Sequence, residues 1–335
     1  MERYLFNQQE FEKIYSCSYF TVEDWYAKGR PNLYIGVVYI MAGIVYEILY
    51  FPFLLVMLQK EFLRYSAYKI MFFLGIIDFI CIICNSIICG YLSIIGAVFC
   101  THPKTIYILG CISTSLWTAA CATCMLLGLN RCCEILFPKL CRKLFYGKRT
   151  YFWLILPTIY FIYFFFFTNP LLFSSRYHAM FFDPYIGIIG IRTTRLSSNQ
   201  EPDHWSHTIN NIIVIFVLIM SYFSLCLITM LKSHFRNEEI NLNIIQKQTF
   251  IQVTLILILN GTAASVYVYM QFFYTPNWLM IIGQITWQAS HGAAVFVYLF
   301  LNNSMRNAVF TKIFKTSSNT VATVKPDGKS YILKT

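Results

Sequence analysis

Apolar residues in this chain do not alternate with polar ones. They run in stretches of about twenty, divided by short segments that carry most of the Lys and Arg. A hydrocarbon layer about 30 Å thick needs roughly 20 apolar residues at 1.5 Å each, because every backbone N–H and C=O must find a partner within the protein there. Seven stretches reach that length, at 33–58, 70–95, 105–130, 150–168, 208–231, 249–274 and 277–301. The fourth, YFWLILPTIYFIYFFFFTN, is the shortest and contains a central Pro157. After the seventh, NNSMRNAVFTKIF sets Met305, Val309, Ile313 and Phe314 on one side, with Arg306, Lys312 and Lys315 as its charge. The pattern predicts an all-α membrane protein, a seven-transmembrane helix bundle with a short amphipathic eighth helix lying on the lipid surface. The expected divisions are an extracellular N-tail over 1–32, the bundle over 33–301, the amphipathic helix over 302–315 and a cytoplasmic disordered tail over 316–335.

Composition agrees, and charge adds an orientation. Only 12% of residues are charged, 57% are hydrophobic and the mean hydropathy is +0.56, which excludes a soluble domain. With the N-terminus outside, 18 of the 26 Lys and Arg fall on inner segments, as the resistance of basic loops to translocation requires. The excess basicity is then an inner skin facing anionic lipid and not a nucleic-acid surface. Lys28 and Arg30, just before the first stretch, run against this trend. The N-terminus lacks a basic segment followed by an apolar one, so no cleaved signal peptide is expected and the first helix acts as the insertion signal. No repeat relates the two halves, which argues against an inverted-repeat transporter. A phosphate-binding Gly-Lys loop, His-Glu-x-x-His and a nucleophile elbow are all missing. No enzyme activity, cofactor or metal is expected, and no residue specifies an oligomeric state.

Polar residues inside the apolar stretches are the candidates for function, because they are costly there. LGIIDF buries Asp78 in the second helix, Glu47 lies in the first and Asn260, a candidate for interhelical bonding, in the sixth. Gln284, Trp287, His291, Ala294 and Tyr298 follow spacings of 3, 4, 3 and 4, so they share one face of the seventh. LGLNRCCEIL, Leu127 to Leu136, puts Arg131 at the inner end of the third. A lone arginine there reads as an anchor snorkelling to the headgroups.

Taken together these motifs resemble the G-protein-coupled receptors, and more closely the nematode serpentine chemoreceptors of class T, over residues 30–315. Asn130-Arg131-Cys132 is similar to the acid-Arg-Tyr motif that closes the third helix of rhodopsin-like receptors. Leu74-Gly75 with Asp78 resembles their second-helix motif, and Tyr298 with Arg306 the end of the seventh helix and the start of the eighth. The departures are specific. Asn130 replaces the acid, Ala294-Val295 stand where Asn-Pro is usual, the sixth helix lacks Trp-Pro, and 169–207 holds no cysteine for the usual disulfide.

The resemblance implies a chemosensory receptor that binds a small-molecule ligand from outside and activates a heterotrimeric G protein inside. It implies a plasma-membrane location, in a sensory cilium. Arg131 would be held at rest and then meet the G protein. With Asn130 as neighbour the lock is weaker or uses another acid, for which Glu238 and Glu239 are candidates, so Glu239→Gln is expected to raise basal signalling. Ser113, Trp117 and Thr118, with Gln284, Trp287 and Gln288, fall where the family lines its pocket. Below them His291 can pair with Asp78, or each can be bonded separately. Cys17 and Cys100 alone fall in outer segments, as a disulfide or as two free thiols, while Cys132, Cys133 and Cys141 sit where palmitoylation occurs. Two other readings stay open here. One is a seven-helix ligand-gated channel with its N-terminus inside; the other is a transporter or membrane enzyme using Glu47, Asp78 and His291.

Overall fold

A computed structural model describes residues 1–188, 205–217, 219–220 and 244–318. The first 32 residues fold into three short helices, α1 (Glu2–Phe6), α2 (Gln8–Tyr15) and α3 (Val22–Lys28), where the pattern suggests a plain tail. Their signals are local: Asn7 caps α2, and Thr21 with Asp24 forms a reciprocal capping box on α3.

The bundle follows. Helix α4 (Leu33–Met57) and the short α5 (Lys60–Leu63) lead into α6 (Ser66–Ile82), which continues through a π-helical segment, Ile83–Ile88, into α7 (Cys89–Ile94). Helix α8 (Pro103–Leu136), with proline in its first turn, is the longest among the described residues. Then come α9 (Pro138–Phe145), α10 (Arg149–Trp153), α11 (Ile155–Phe167), the antiparallel strands β1 (Leu172–Ser174) and β2 (Ala179–Phe181), and α12 (Trp205–Val217). The chain closes with α13 (Ile244–Phe272), α14 (Asn277–Gly292), α15 (Ala294–Leu301) and α16 (Asn303–Ser318). Among the described residues five helices are long and apolar enough to cross a membrane, over Leu33–Met57, Ser66–Ile94, Pro103–Leu136, Arg149–Phe167 and Val253–Phe272. The fifth predicted stretch is represented by α12; its remainder, and Glu238 and Glu239, lie outside the described residues.

Two breaks have visible causes. In the fourth span the chain kinks at Leu154, which places Pro157 in the first turn of α11, where no partner for the missing N–H is needed. The seventh span, expected as one helix over 277–301, is α14 and α15 joined at Ala293. The preceding Gly292 lies so close to the Tyr46 ring of α4 that a Cβ there would overlap it. Despite the break, Gln284, Trp287, His291, Ala294 and Tyr298 are all buried.

Helix α8 is the axis of the bundle, packed on α6, α11 and α13, and α16 lies against α4. On α16, Met305 and Val309 are buried and Lys312 is exposed. Asn302 accepts from the Met305 N–H (2.9 Å) and donates to Tyr68 (3.0 Å), which fixes where α16 leaves the bundle.

The N-terminal helices cap the end of the bundle opposite Arg131. Cys17 is bonded to Cys100 across 83 residues. Trp25, 1% exposed, donates to the Cys17 carbonyl (3.0 Å), the Met1 ammonium to Phe166 O (3.2 Å) and Arg3 to Asn169 (2.9 Å). Removing the bridge with Cys17→Ser or Cys100→Ser is expected to cost about 2–5 kcal/mol of stability, read as a lower melting temperature in detergent. The double variant should melt with the singles; a much lower melting point for the double would show two independently acting thiols.

Candidate functional site

The centre of the bundle holds one chain of polar and aromatic side chains. Asp78 is 2% exposed and both of its carboxylate oxygens are met: Tyr50 Oη donates to Oδ2 (2.8 Å) and His291 Nδ1 lies 2.7 Å from Oδ1. Trp287 Nε1 donates to His291 Nε2 (3.2 Å). An indole N–H only donates, so Nε2 accepts and the proton sits on Nδ1, directed at the carboxylate. Trp117 packs edge-on against both Trp287 (6.5 Å) and His291 (5.8 Å), and Tyr267 against Trp287 (6.1 Å). Trp117 Nε1 donates to Asn211 Oδ1 (2.9 Å), Asn210 donates to the same oxygen (3.0 Å), and Tyr160 donates to Asn210 (3.2 Å). Every one of the seven spans contributes a member. The sequence pointed to Asp78, Trp117, Trp287 and His291 but not to Tyr50, Asn210, Asn211 or Tyr160. The adjacent asparagines in an apolar stretch were the available signal.

Beside this chain, at the π-helical segment, the Asn85 carbonyl accepts from both Gln284 Nε2 (2.9 Å) and Gln288 Nε2 (3.0 Å). The Asn85 carboxamide, Gln284 Oε1 and Ser113 Oγ are buried and have no hydrogen-bond partner among the described residues. Buried polar atoms are nearly always paired, by protein, water or ligand, so this cluster is where a small polar guest is expected. Thr118 turns its hydroxyl back to Ser115 O (3.1 Å) in its own helix. Asn85 was missed from the sequence, since only the local π-turn brings its carbonyl to the seventh span.

Two other intramembrane polar groups stand apart from the chain. Both carboxylate oxygens of Glu47 are buried without a hydrogen-bond partner among the described residues. Asn260, expected to bond between helices, donates back to Ile256 O (3.0 Å) within α13.

Above the cluster the β hairpin reaches down. Leu171 N–H donates to Thr114 (3.1 Å), Tyr39 Oη to His178 O (3.2 Å) and Ser175 N–H to Ala97 O (2.9 Å). Backbone closeness permits this: a Cβ on Gly110 would collide with the Leu171 carbonyl. Burial, with Arg30 nearby, lowers the His178 pKa from its ordinary value.

At the other end, Arg131 does not snorkel. It is 7% exposed and folds onto its own helix: Nη1 is 2.6 Å from Glu134 Oε2, and Nη2 donates to Asn130 Oδ1 (2.6 Å). Asn130 in turn donates to Ser66 (3.0 Å). Among the described residues the acid that meets Arg131 is Glu134, one helical turn on, a pairing that the sequence reading does not include. Cys132 and Cys133 are half-buried, whereas Cys141 is buried and its thiol is pushed up to about 12, chiefly by that burial.

Comparison with known proteins finds a matching family model, a curated relative and solved structures of similar fold. The family model described as serpentine type 7TM GPCR chemoreceptor Srt matches residues 1–321. The chain is 28% identical over 323 residues to a Caenorhabditis elegans protein named serpentine receptor class T-55, covering 95% of this chain and 86% of that one. Squid rhodopsin superposes with a TM-score of 0.60 at 14% identity, over 92% of this chain and 94% of its own, a likeness of fold.

The Asp78–His291 pair is open to a direct test. His291→Leu leaves a buried carboxylate short of a donor and is expected to cost about 3–5 kcal/mol. Asp78→Leu with His291→Leu should cost less than the two single losses combined. Melting in detergent reads both; strictly additive losses would mean the two side chains are not coupled.

Proposed function

The chain belongs to the class T family of serpentine seven-transmembrane G-protein-coupled chemoreceptors, and from that premise we propose that it binds a small molecule in the Asn85 cluster and activates a heterotrimeric G protein at the Arg131 end. Family membership makes it a multi-pass membrane protein without enzymatic activity. The rest is our reading of how this chain does the work.

The observation that carries it is the state of Arg131. A guanidinium held by Glu134 and Asn130 under a nearly closed surface is a resting latch. A charge-assisted pair contributes more than a neutral one, so Glu134 takes over what an acid at position 130 would supply. Tyr298, buried between the polar chain and this end, packs against Tyr50 (6.2 Å), which itself donates to Asp78. A ligand that engages Asn85, Gln284, Gln288 and Ser113 between the walls of Trp117 and Trp287 biases that chain, and the change reaches the latch through contiguous packing. No carboxylate lies in the cluster, so the ligand is a small neutral molecule offering both a donor and an acceptor.

The same reading places residues 1–32 outside as a cap and α16 with the tail in the cytoplasm, in the plasma membrane and, by family resemblance, in a sensory cilium. Asymmetry of Lys and Arg between the two ends supports this orientation. Tags at both termini, stained on intact and then permeabilised cells, test it: an internal N-terminus would remove the G-protein reading.

Signalling is tested on the latch. Arg131→Ala is expected to reduce ligand-stimulated nucleotide exchange at least tenfold while ligand binding persists. Glu134→Gln is expected to raise basal exchange severalfold, a neutral hydrogen bond being about half as strong as a charge-assisted one. Unchanged basal exchange at normal surface expression would remove Glu134 from the latch, with Glu239→Gln then testing the alternative acid.

A further inference from the structure

Five cations lie within eleven residues of one another at the Arg131 end: Lys139, Arg142, Lys143, Lys148 and Arg149, all exposed. The stretch 137–152 contains no acid, and none of the five has a salt bridge among the described residues. Their placement is built by the fold. On α9, Lys139, Arg142 and Lys143 are spaced i, i+3, i+4 and share one face, while Cys141 and Phe145 bury the other. The turn at Gly147, in the left-handed region (φ 63), brings Lys148 and Arg149 back beside them. Arg149 Nη1 donates to Lys143 O (2.5 Å) at the end of α9. Lys69, nearly buried on α6, donates to Gly147 O (2.5 Å) and so holds the turn in place.

Apolar side chains accompany the cations. Phe137, Leu140 and Tyr146 are 55%, 46% and 71% exposed. A short helix at the end of the spans that shows bare cations together with exposed aromatic and aliphatic groups has the chemistry of the bilayer interface, with the apolar groups set at acyl-chain level and the cations at phosphate level. An acidic protein surface would match the charge but leave those apolar groups uncovered.

We infer that α9 and the Gly147 turn form a binding site for anionic phospholipid headgroups. The inference rests on the orientation proposed above only for which leaflet supplies the lipid, because the negative surface potential belongs to the cytoplasmic leaflet. Lipid held there would brace α9, which packs against Asn130 through Cys141 (3.9 Å).

The test uses the detergent-purified full-length chain and native mass spectrometry, with dioctanoyl phosphatidylserine, dioctanoyl phosphatidylinositol bisphosphate and dioctanoyl phosphatidylcholine offered at equal concentration. Both anionic lipids are expected to form adducts in severalfold excess over phosphatidylcholine. Lys139→Gln/Arg142→Gln/Lys143→Gln, all exposed positions, should remove that excess, bringing the anionic adducts down to the level of phosphatidylcholine. Lys325→Gln/Lys329→Gln/Lys334→Gln in the tail should leave it unchanged. Equal adducts for the three lipids, an excess that survives in the α9 variant, or one abolished by the tail variant would each overturn the inference. So would displacement by inorganic phosphate, which would mark a free-anion site, or loss of G-protein activation in the α9 variant with no lipid preference, which would mark a protein-docking surface. The readout is independent of orientation, so a failed topology test leaves it standing.

Discussion

A carboxylate in the middle of a bundle of hydrocarbon thickness has to be met by donors, and the arrangement around Asp78 follows from that requirement. Tyr50 and His291 take one oxygen each, so the first, second and seventh spans are held at hydrogen-bonding distance. His291 is in turn oriented by Trp287, whose ring is walled by Trp117 and Tyr267. Helices in lipid gain little from burying apolar surface against one another, so close packing and polar contacts of this kind carry their association. The Asp78 chain supplies both in the same place, and the remaining spans join through Asn211, Asn210 and Tyr160.

The two ends of the molecule are built by different means. At the capped end the sequence lacks the cysteine that would tie the 169–207 segment to the third span. Stability there comes from the Cys17–Cys100 bond and from hydrogen bonds of the Arg30 and Leu171 N–H groups to the hydroxyls of Ser175 and Thr114, which tie the segment after α3, the hairpin and α8 together. At the other end Asn130, standing where an acid is usual, still accepts from Arg131, while Glu134 supplies the charge. The acid paired with Arg131 thus lies one turn along the helix from position 130. Membership of the receptor family removes the channel and transporter readings that composition alone allowed.

Between the ends, a backbone irregularity changes what an otherwise ordinary apolar helix offers its neighbours. The π-helical segment Ile83–Ile88 presents the Asn85 carbonyl to two glutamines of the seventh span, and the asparagine's own amide is buried unpaired beside it. Single-turn π segments of this kind recur at functional positions, since the altered register re-aims side chains that a regular helix would direct elsewhere.

How much of this was legible in the residues depends on the range of the interaction concerned. Apolar run length against a layer about 30 Å thick is a local property, so the membrane spans, the amphipathic helix after the seventh span and the candidate status of Asp78, His291 and Arg131 could be read directly. Capping signals at Asn7 and at Thr21 with Asp24 are equally local, but they lie in a segment that apolar run length does not address. The Arg131–Glu134 pair is local too, one turn within a single helix, whereas which groups meet Asp78 and where Asn85 points were decided by the tertiary structure. Those contacts join residues as far as 213 positions apart, as for Asp78 and His291, or turn on a shift of helical register. Sequence determined which groups must find partners in lipid; close packing at small residues, of the hairpin segment on Gly110 and of the first span on Gly292, determined which partners lay within reach.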